Sequence, residues 1–185
     1  LAGLDSLALT TNGSQLADSG HALRDAGVNS INISLDSLQA ERFKAITRIG
    51  DLNTVLRGID RAVECGFDRI RLNAVILDGL NRDEVVPLTH YALEKGIHIA
   101  FIEEMPLGQV NVGGKPLAYV SSDTLQKELA ERFTLVPMTA SDTAGPARDF
   151  LIAGSQTQVG FISPHSHNFC AQCNRLRISA EGRLL

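Results

Sequence analysis

Nowhere in these 185 residues is there an apolar run long enough to cross a bilayer, so no membrane partner is expected. An excess of positive charge is lacking too: 17 Lys and Arg stand against 21 Asp and Glu, for a net charge of −4. That balance leaves no footprint for nucleic acid, and any positive charge that matters must be local. Cysteine is scarce and odd in number, three in all. Without a leader segment, this points to a reducing cytoplasm. A GxxxxGK[ST] phosphate loop is missing, because residues 108–115 hold their glycines and lysine in the wrong order. No Ser/His/Asp pattern or nucleophile elbow is present, and there is no repeat or low-complexity tract. A phosphate bound by this chain would therefore be gripped by arginines. The chain opens at Leu1 without a methionine and stops at Leu185 inside an expected strand, so it is expected to be an excised piece of a longer protein.

What is present is ample for folding: 44% hydrophobic residues over this length supply the core of one sizeable domain, or one domain with an appendage. Strands are expected at 7–11, 30–35, 69–77 and 97–103, and helices at 16–26, 40–47, 52–65 and 82–95. Asn12-Gly13 closes the first strand, Ser14 is the expected cap of the first helix, and Leu56, Ile59 and Val63 mark one face of the third. Such alternation implies parallel βα units in a barrel or open sheet, with functional residues at the C-terminal ends of strands. Those ends read as Thr10-Thr11, Ser34 to Asp36, Arg71 to Asn73 and Glu103 to Met105. Each has a bland reading: Thr10 and Ser34 as turn residues, Met105 as core filler, Asp36, Glu103 and Glu104 as solvated or paired with Arg69. Cys65 reads as a buried helix residue.

After Gly108 the period breaks. Residues 109–116 read as a loop, a helix capped by Ser121 or Ser122 runs to about 132, and short strands are expected at 134–138, 150–153 and 158–162. Residues 139–148, rich in Ser, Thr, Gly, Ala and Pro, read as a surface connection.

Two cysteines carry the densest chemistry, in Cys170-Ala171-Gln172-Cys173-Asn174-Arg175-Leu176-Arg177. A Cys-x2-Cys pair supplies half of a zinc site, most of a redox pair, or two thiolates for an iron–sulfur cluster. His165 and His167 together would complete a zinc site, but their alternation turns only one of them toward the cysteines. If the segment is extended, Arg175 and Arg177 share a face, and guanidinium forks suit phosphate or carboxylate. A cluster beside an anion site fits that pairing better than a zinc staple.

Read together, Leu9-Thr10-Thr11-Asn12-Gly13, Ile33-Ser34-Leu35-Asp36-Ser37-Leu38, Arg71-Leu72-Asn73, Phe101-Ile102-Glu103-Glu104-Met105-Pro106-Leu107-Gly108 and the cysteine block form an ordered set. With it the chain closely resembles, over its full length, the GTP 3′,8-cyclase family of radical S-adenosylmethionine enzymes, which opens molybdenum cofactor (molybdopterin) biosynthesis. The resemblance implies an α/β fold: a partial (β/α) TIM-like barrel over residues 1–108, with a C-terminal α+β extension over 109–185. It implies two 4Fe–4S clusters and S-adenosylmethionine as cofactors. Ser34 and Met105 would contact S-adenosylmethionine; Thr10, Arg71, Arg175, Leu176 and Arg177 would bind GTP; Cys170 and Cys173 would ligate the second cluster. Its implied partners are GTP, a second copy of the chain, and the downstream cyclic pyranopterin monophosphate synthase.

Three departures stand out. The N-terminal Cys-x3-Cys-x2-Cys loop that holds the first cluster is not within these residues, and a third ligand of the second cluster is expected just past Leu185. Position 71 is arginine where the family usually has lysine. Rival readings are a peptide-modifying radical enzyme with an auxiliary cluster and a zinc-binding interaction module.

Overall fold

The alternating periods resolve into parallel βα units in the computed structural model, which describes residues 3–105, 111–112, 115–116, 118–139, 147–166 and 178–184, of which 111–112 and 115–116 are described as backbone only. Strands β1 (Ala8–Thr11), β2 (Ser30–Ser34), β3 (Arg69–Asp78) and β4 (His98–Glu103) lie side by side and parallel. Helices α1 (Leu16–Asp25), α2 (Ala40–Thr47), α3 (Leu52–Glu64) and α4 (Val85–Lys95) connect them, the last entered through a 3-10 turn at Arg82–Glu84.

Two short strands follow, β5 (Asn111–Val112) and β6 (Lys115–Pro116), antiparallel to one another where a loop was expected. Strand β7 (Ala118–Tyr119) pairs with the end of β3, and α5 (Ser122–Ala130) leads to β8 (Leu135–Pro137), β9 (Ala147–Ile152) and β10 (Gln158–Ile162). The last of these lies parallel against β4, giving the order β1-β2-β3-β4-β10-β9-β8. This is the α/β class expected, with the later strands extending the same sheet.

Register and side-chain alternation give the sheet two unlike faces. On one, Ile31, Ile33, Leu72, Ile99, Phe101, Val159 and Phe161 are fully buried. They meet Leu16, Phe43, Val55, Ile59, Leu88 and Leu125 from the helices in a single core. Burying each such side chain contributes about 1.5–3 kcal/mol relative to leaving it in water. The opposite face is polar and holds the residues of interest.

Local signals explain most helix ends. Asp51 accepts the Thr54 N–H at 2.6 Å and Ser121 accepts the Thr124 N–H at 3.2 Å, each satisfying a donor the helix leaves orphaned. Ser14 is not the cap of α1. Asn12 Oδ1 takes both its N–H, at 3.1 Å, and its hydroxyl, at 2.8 Å, and Gln15 holds the N-cap position with no side-chain cap bond. The inward stripe of α3 is Leu52, Val55, Ile59 and Ala62; Val63 is 39% exposed. Cys65 caps the C-terminus of α3 and is half-buried.

Two strand boundaries differ from expectation. Strand β3 continues to Asp78, so Arg71 to Asn73 lie near its beginning rather than at its C-terminal tip. Strand β9 begins at Ala147, because Ala147, Arg148 and Asp149 pair with Ile162, Phe161 and Gly160. The expected unit boundary at residue 108 lies outside the described residues. Among the described residues, no helix is long and apolar enough to cross a membrane.

Candidate functional site

Parity places the sequence-predicted residues on the polar face. Thr10 pairs with Asn32, and Asn32 with Arg71; Ser34, two residues beyond Asn32, pairs with Asn73. Residues two apart on a strand point the same way, so Thr10, Ser34 and Arg71 share one surface. Thr10 and Ser34 are exposed, while Arg71 is buried. Met105 follows the end of β4 and is 51% exposed, which removes it from the core. Cys170, Cys173, Arg175, Leu176 and Arg177 lie outside the described residues. Among the described residues, no group of three or more His, Cys, Asp or Glu converges as a metal site would need.

Arg71 belongs to a charged cluster on this face. Its Nη2 donates to Asp149 Oδ1 at 2.7 Å, and Arg69 Nη2 lies 3.8 Å from Asp149 Oδ2. Burial, then the adjacent Arg71 guanidinium, lowers the Arg69 pKa. Burial, then Arg69 and Arg71, pushes His98 down to about 4. A neutral imidazole is what its partner requires, since His98 Nδ1 accepts the Gln158 N–H at 3.2 Å. Arg69, His98, Asp149 and Gln158 line a cavity of about 620 Å³ near the N-terminal ends of β3 and β4. Two buried atoms here have no partner among the described residues: Arg71 Nε and Asn73 Oδ1.

Loops at the other end of the strands are held by buried polar side chains. Asn81, fully buried, donates to the carbonyls of Asp36 and Val75 at 2.8 and 2.9 Å and accepts from Leu77 N–H at 2.9 Å. Asp36 accepts the Val75 N–H at 2.8 Å, and burial raises its pKa despite that bond. Glu84 takes the Ser37 hydroxyl, the Leu38 N–H at 2.6 Å and the Arg42 guanidinium at 2.7 Å, which fixes the segment after Ser34.

Glu103 is neither solvated nor paired with Arg69. It is 1% exposed, and its carboxylate accepts Ser122 N–H (2.7 Å), Ser166 Oγ–H (2.6 Å), Ser166 N–H (2.9 Å) and His165 N–H (3.1 Å). Burial alone would raise its pKa, but the bonds from Ser122 and Ser166 outweigh it and hold the group down at about 2. The carboxylate thereby ties the end of β4 to the start of α5 and to the residues that precede the cysteine block. His165, a candidate zinc ligand from the sequence, stacks on Tyr119 with ring centroids 4.5 Å apart.

Asp149, Asn81 and Glu84 were not singled out from the sequence. Asn81 and Glu84 reach back to residues 36–38, which lie 45 to 47 positions away, and Asp149 falls just past residues 139–148, whose composition reads as a connection. The local trace of Asp149 is Gly160 opposite it, where a Cβ would come within 2.5 Å of Asp149 Oδ1.

Two family profiles match consecutive parts of the chain. The radical SAM superfamily matches residues 2–92, and Molybdenum Cofactor Synthesis C matches residues 97–185. The GTP 3′,8-cyclase of Ectopseudomonas mendocina (strain ymp) is 54% identical over 182 residues, covering 98% of this chain and 55% of that protein. The GTP 3′,8-cyclase of Pseudomonas putida (strain W619) is 54% identical over 186 residues, covering all of this chain and 55% of the relative. That of Saccharophagus degradans is 49% identical over 182 residues, again covering 55% of the relative. The chain thus spans about half the length of the curated relatives it matches.

Proposed function

We propose that the chain is one part of a GTP 3′,8-cyclase, since residues 2–92 match the radical SAM superfamily profile and residues 97–185 match Molybdenum Cofactor Synthesis C. The complete enzyme would convert GTP to (8S)-3′,8-cyclo-7,8-dihydroguanosine 5′-triphosphate in the cytoplasm. Residues 1–108 would be the barrel portion and 109–185 the extension. The observation that carries this reading is the common polar surface of Thr10, Ser34 and Arg71, on the sheet face opposite the helices.

S-adenosylmethionine bound at a reduced 4Fe–4S cluster would supply a 5′-deoxyadenosyl radical, which would leave as 5′-deoxyadenosine with the ribose 3′ hydrogen so that this carbon could join guanine C8, one further electron and a proton completing the dihydro product. The protein's share is binding and orientation, since such cofactors carry the hard chemistry. The described residues fit the ligands: Ser34 and Met105 are exposed, as contacts to S-adenosylmethionine need. Arg71 keeps a buried Nε–H that a nucleotide acceptor can take, and Thr10 offers an exposed hydroxyl in the same row. Arg175, Leu176 and Arg177 would grip the triphosphate, with Cys170 and Cys173 ligating a second cluster. A homodimer, and hand-over of product to cyclic pyranopterin monophosphate synthase, are part of the same reading.

The test uses the full-length protein, reconstituted anaerobically and assayed for iron and for cyclised GTP. Arg175→Ala and Arg177→Ala should each abolish turnover and leave iron content near that of the parent, whereas Cys170→Ala and Cys173→Ala should lose the iron of one cluster. An arginine variant that loses iron yet still cyclises GTP would overturn these roles. Zinc without iron in the reconstituted parent would overturn the whole reading.

A further inference from the structure

We infer that Asp149 is a positioning residue that aims the Arg71 guanidinium across the polar face of the sheet. This rests on the reading of Arg71 as a nucleotide contact. The Arg71 side chain is 8% exposed, and a guanidinium so deeply placed needs a partner to offset its lost hydration. Among the described residues that partner is Asp149, through Nη2 at 2.7 Å, and Nε is left unpartnered. A planar guanidinium fixed at one nitrogen has the directions of its other donors fixed as well. The Nε–H is therefore presented rather than mobile.

Reaching Asp149 from β3 means crossing β4 and β10, and the register shows why this is open. The row that joins Asn73 to Asp149, next to that of Arg71, runs through Ala100 and Gly160, whose side chains are a methyl group and a hydrogen. A Cβ at Gly160 would meet Asp149 Oδ1 at 2.5 Å and Ala147 Cβ at 3.2 Å, so glycine leaves the carboxylate its place. A lysine at position 71 would have no planar fork to be oriented in this way. Asp149 is thus suited to the arginine this chain carries.

In the full-length enzyme, Asp149→Asn should raise KM for GTP about tenfold while kcat and iron content stay within about twofold, since an aimed contact to bound nucleotide is what is lost. Asp149→Glu, which keeps the carboxylate, should recover most of the loss. In an Arg71→Lys background, Asp149→Asn should change KM by less than about twofold. An unchanged or lower KM in Asp149→Asn, or an equal effect in both backgrounds, would show that the carboxylate only balances charge or supports the fold, and would overturn the inference. Arg71→Ala separates the two layers. If it leaves KM for GTP at the parent value, the nucleotide reading of Arg71 fails and the inference with it; if it raises KM while Asp149→Asn does not, the positioning role alone fails.

Discussion

Glu103 shows how a single buried carboxylate can fix a site it does not enter. Among the described residues its four bonds come from Ser122, His165 and Ser166, and no cation is among those donors. The charge is stabilised by N–H and O–H dipoles, which is what holds its pKa at about 2 against the effect of burial. Unfolded, the group titrates near 4.5. Because the folded pKa is the lower one, this stabilisation is fully present above about pH 4.5 and disappears as pH falls toward about 2. Glu103→Gln would turn an amide NH2 toward donors that need an acceptor. The expected cost at neutral pH is about 2–4 kcal/mol, measured by denaturant unfolding of the full-length protein. The variant should also lose the part of the acid dependence that lies in this window; a variant as stable as the parent at pH 7 would refute the role.

At the scale of elements, α3 is seated by an absence. A Cβ on Gly58 would lie 2.4 Å from the carbonyl oxygen of Gly13 and 3.1 Å from Leu16 Cβ, so the helix approaches the turn after β1 as closely as backbone allows. Gly13 itself has φ +78, a conformation glycine adopts without strain. Glycine to alanine inside a helix ordinarily stabilises by up to about 1 kcal/mol. Here the sign reverses: Gly58→Ala should cost about 1–3 kcal/mol, because backbone cannot yield as a flexible side chain can. Thermal unfolding followed by circular dichroism checks this, and a raised midpoint would contradict it. The helices and the first four strands were legible in the sequence because their signals are local: a hydrophobic period, Asn12-Gly13 after the first strand, Ser121 at a helix start, glycine after the last turn. The start of β9 was not. Ala147, Arg148 and Asp149 become strand by pairing with β10, and nothing in their own composition announces it.

Across the whole molecule the same distinction decides what could be read of the site. Thr10, Ser34 and Arg71 could be nominated one by one, since each sits in a recognisable block. Their common face, and the bond from Arg71 to a residue 78 positions away, exist only once the register is set. Strand β10 sets much of it at the seam where it lies parallel to β4, which in turn pairs with β3, so that the stretches matched by the two family profiles share one sheet. Phe161 of β10 stands at that seam, its ring centroid 6.3 Å from that of Phe101 on β4 and 5.8 Å from that of Phe150 on β9. All of its surface is buried, so Phe161→Ala leaves a cavity that the neighbouring strands cannot readily close, at an expected cost of about 3–5 kcal/mol. If the seam is part of one cooperative unit, the loss is felt on both sides. Hydrogen exchange on the full-length variant should then show the amides of 99–102 and of 159–162 losing protection by the same factor. Loss confined to β9 and β10, with β4 still protected, would mean that the C-terminal strands unfold on their own and that the polar face is assembled from two separable units.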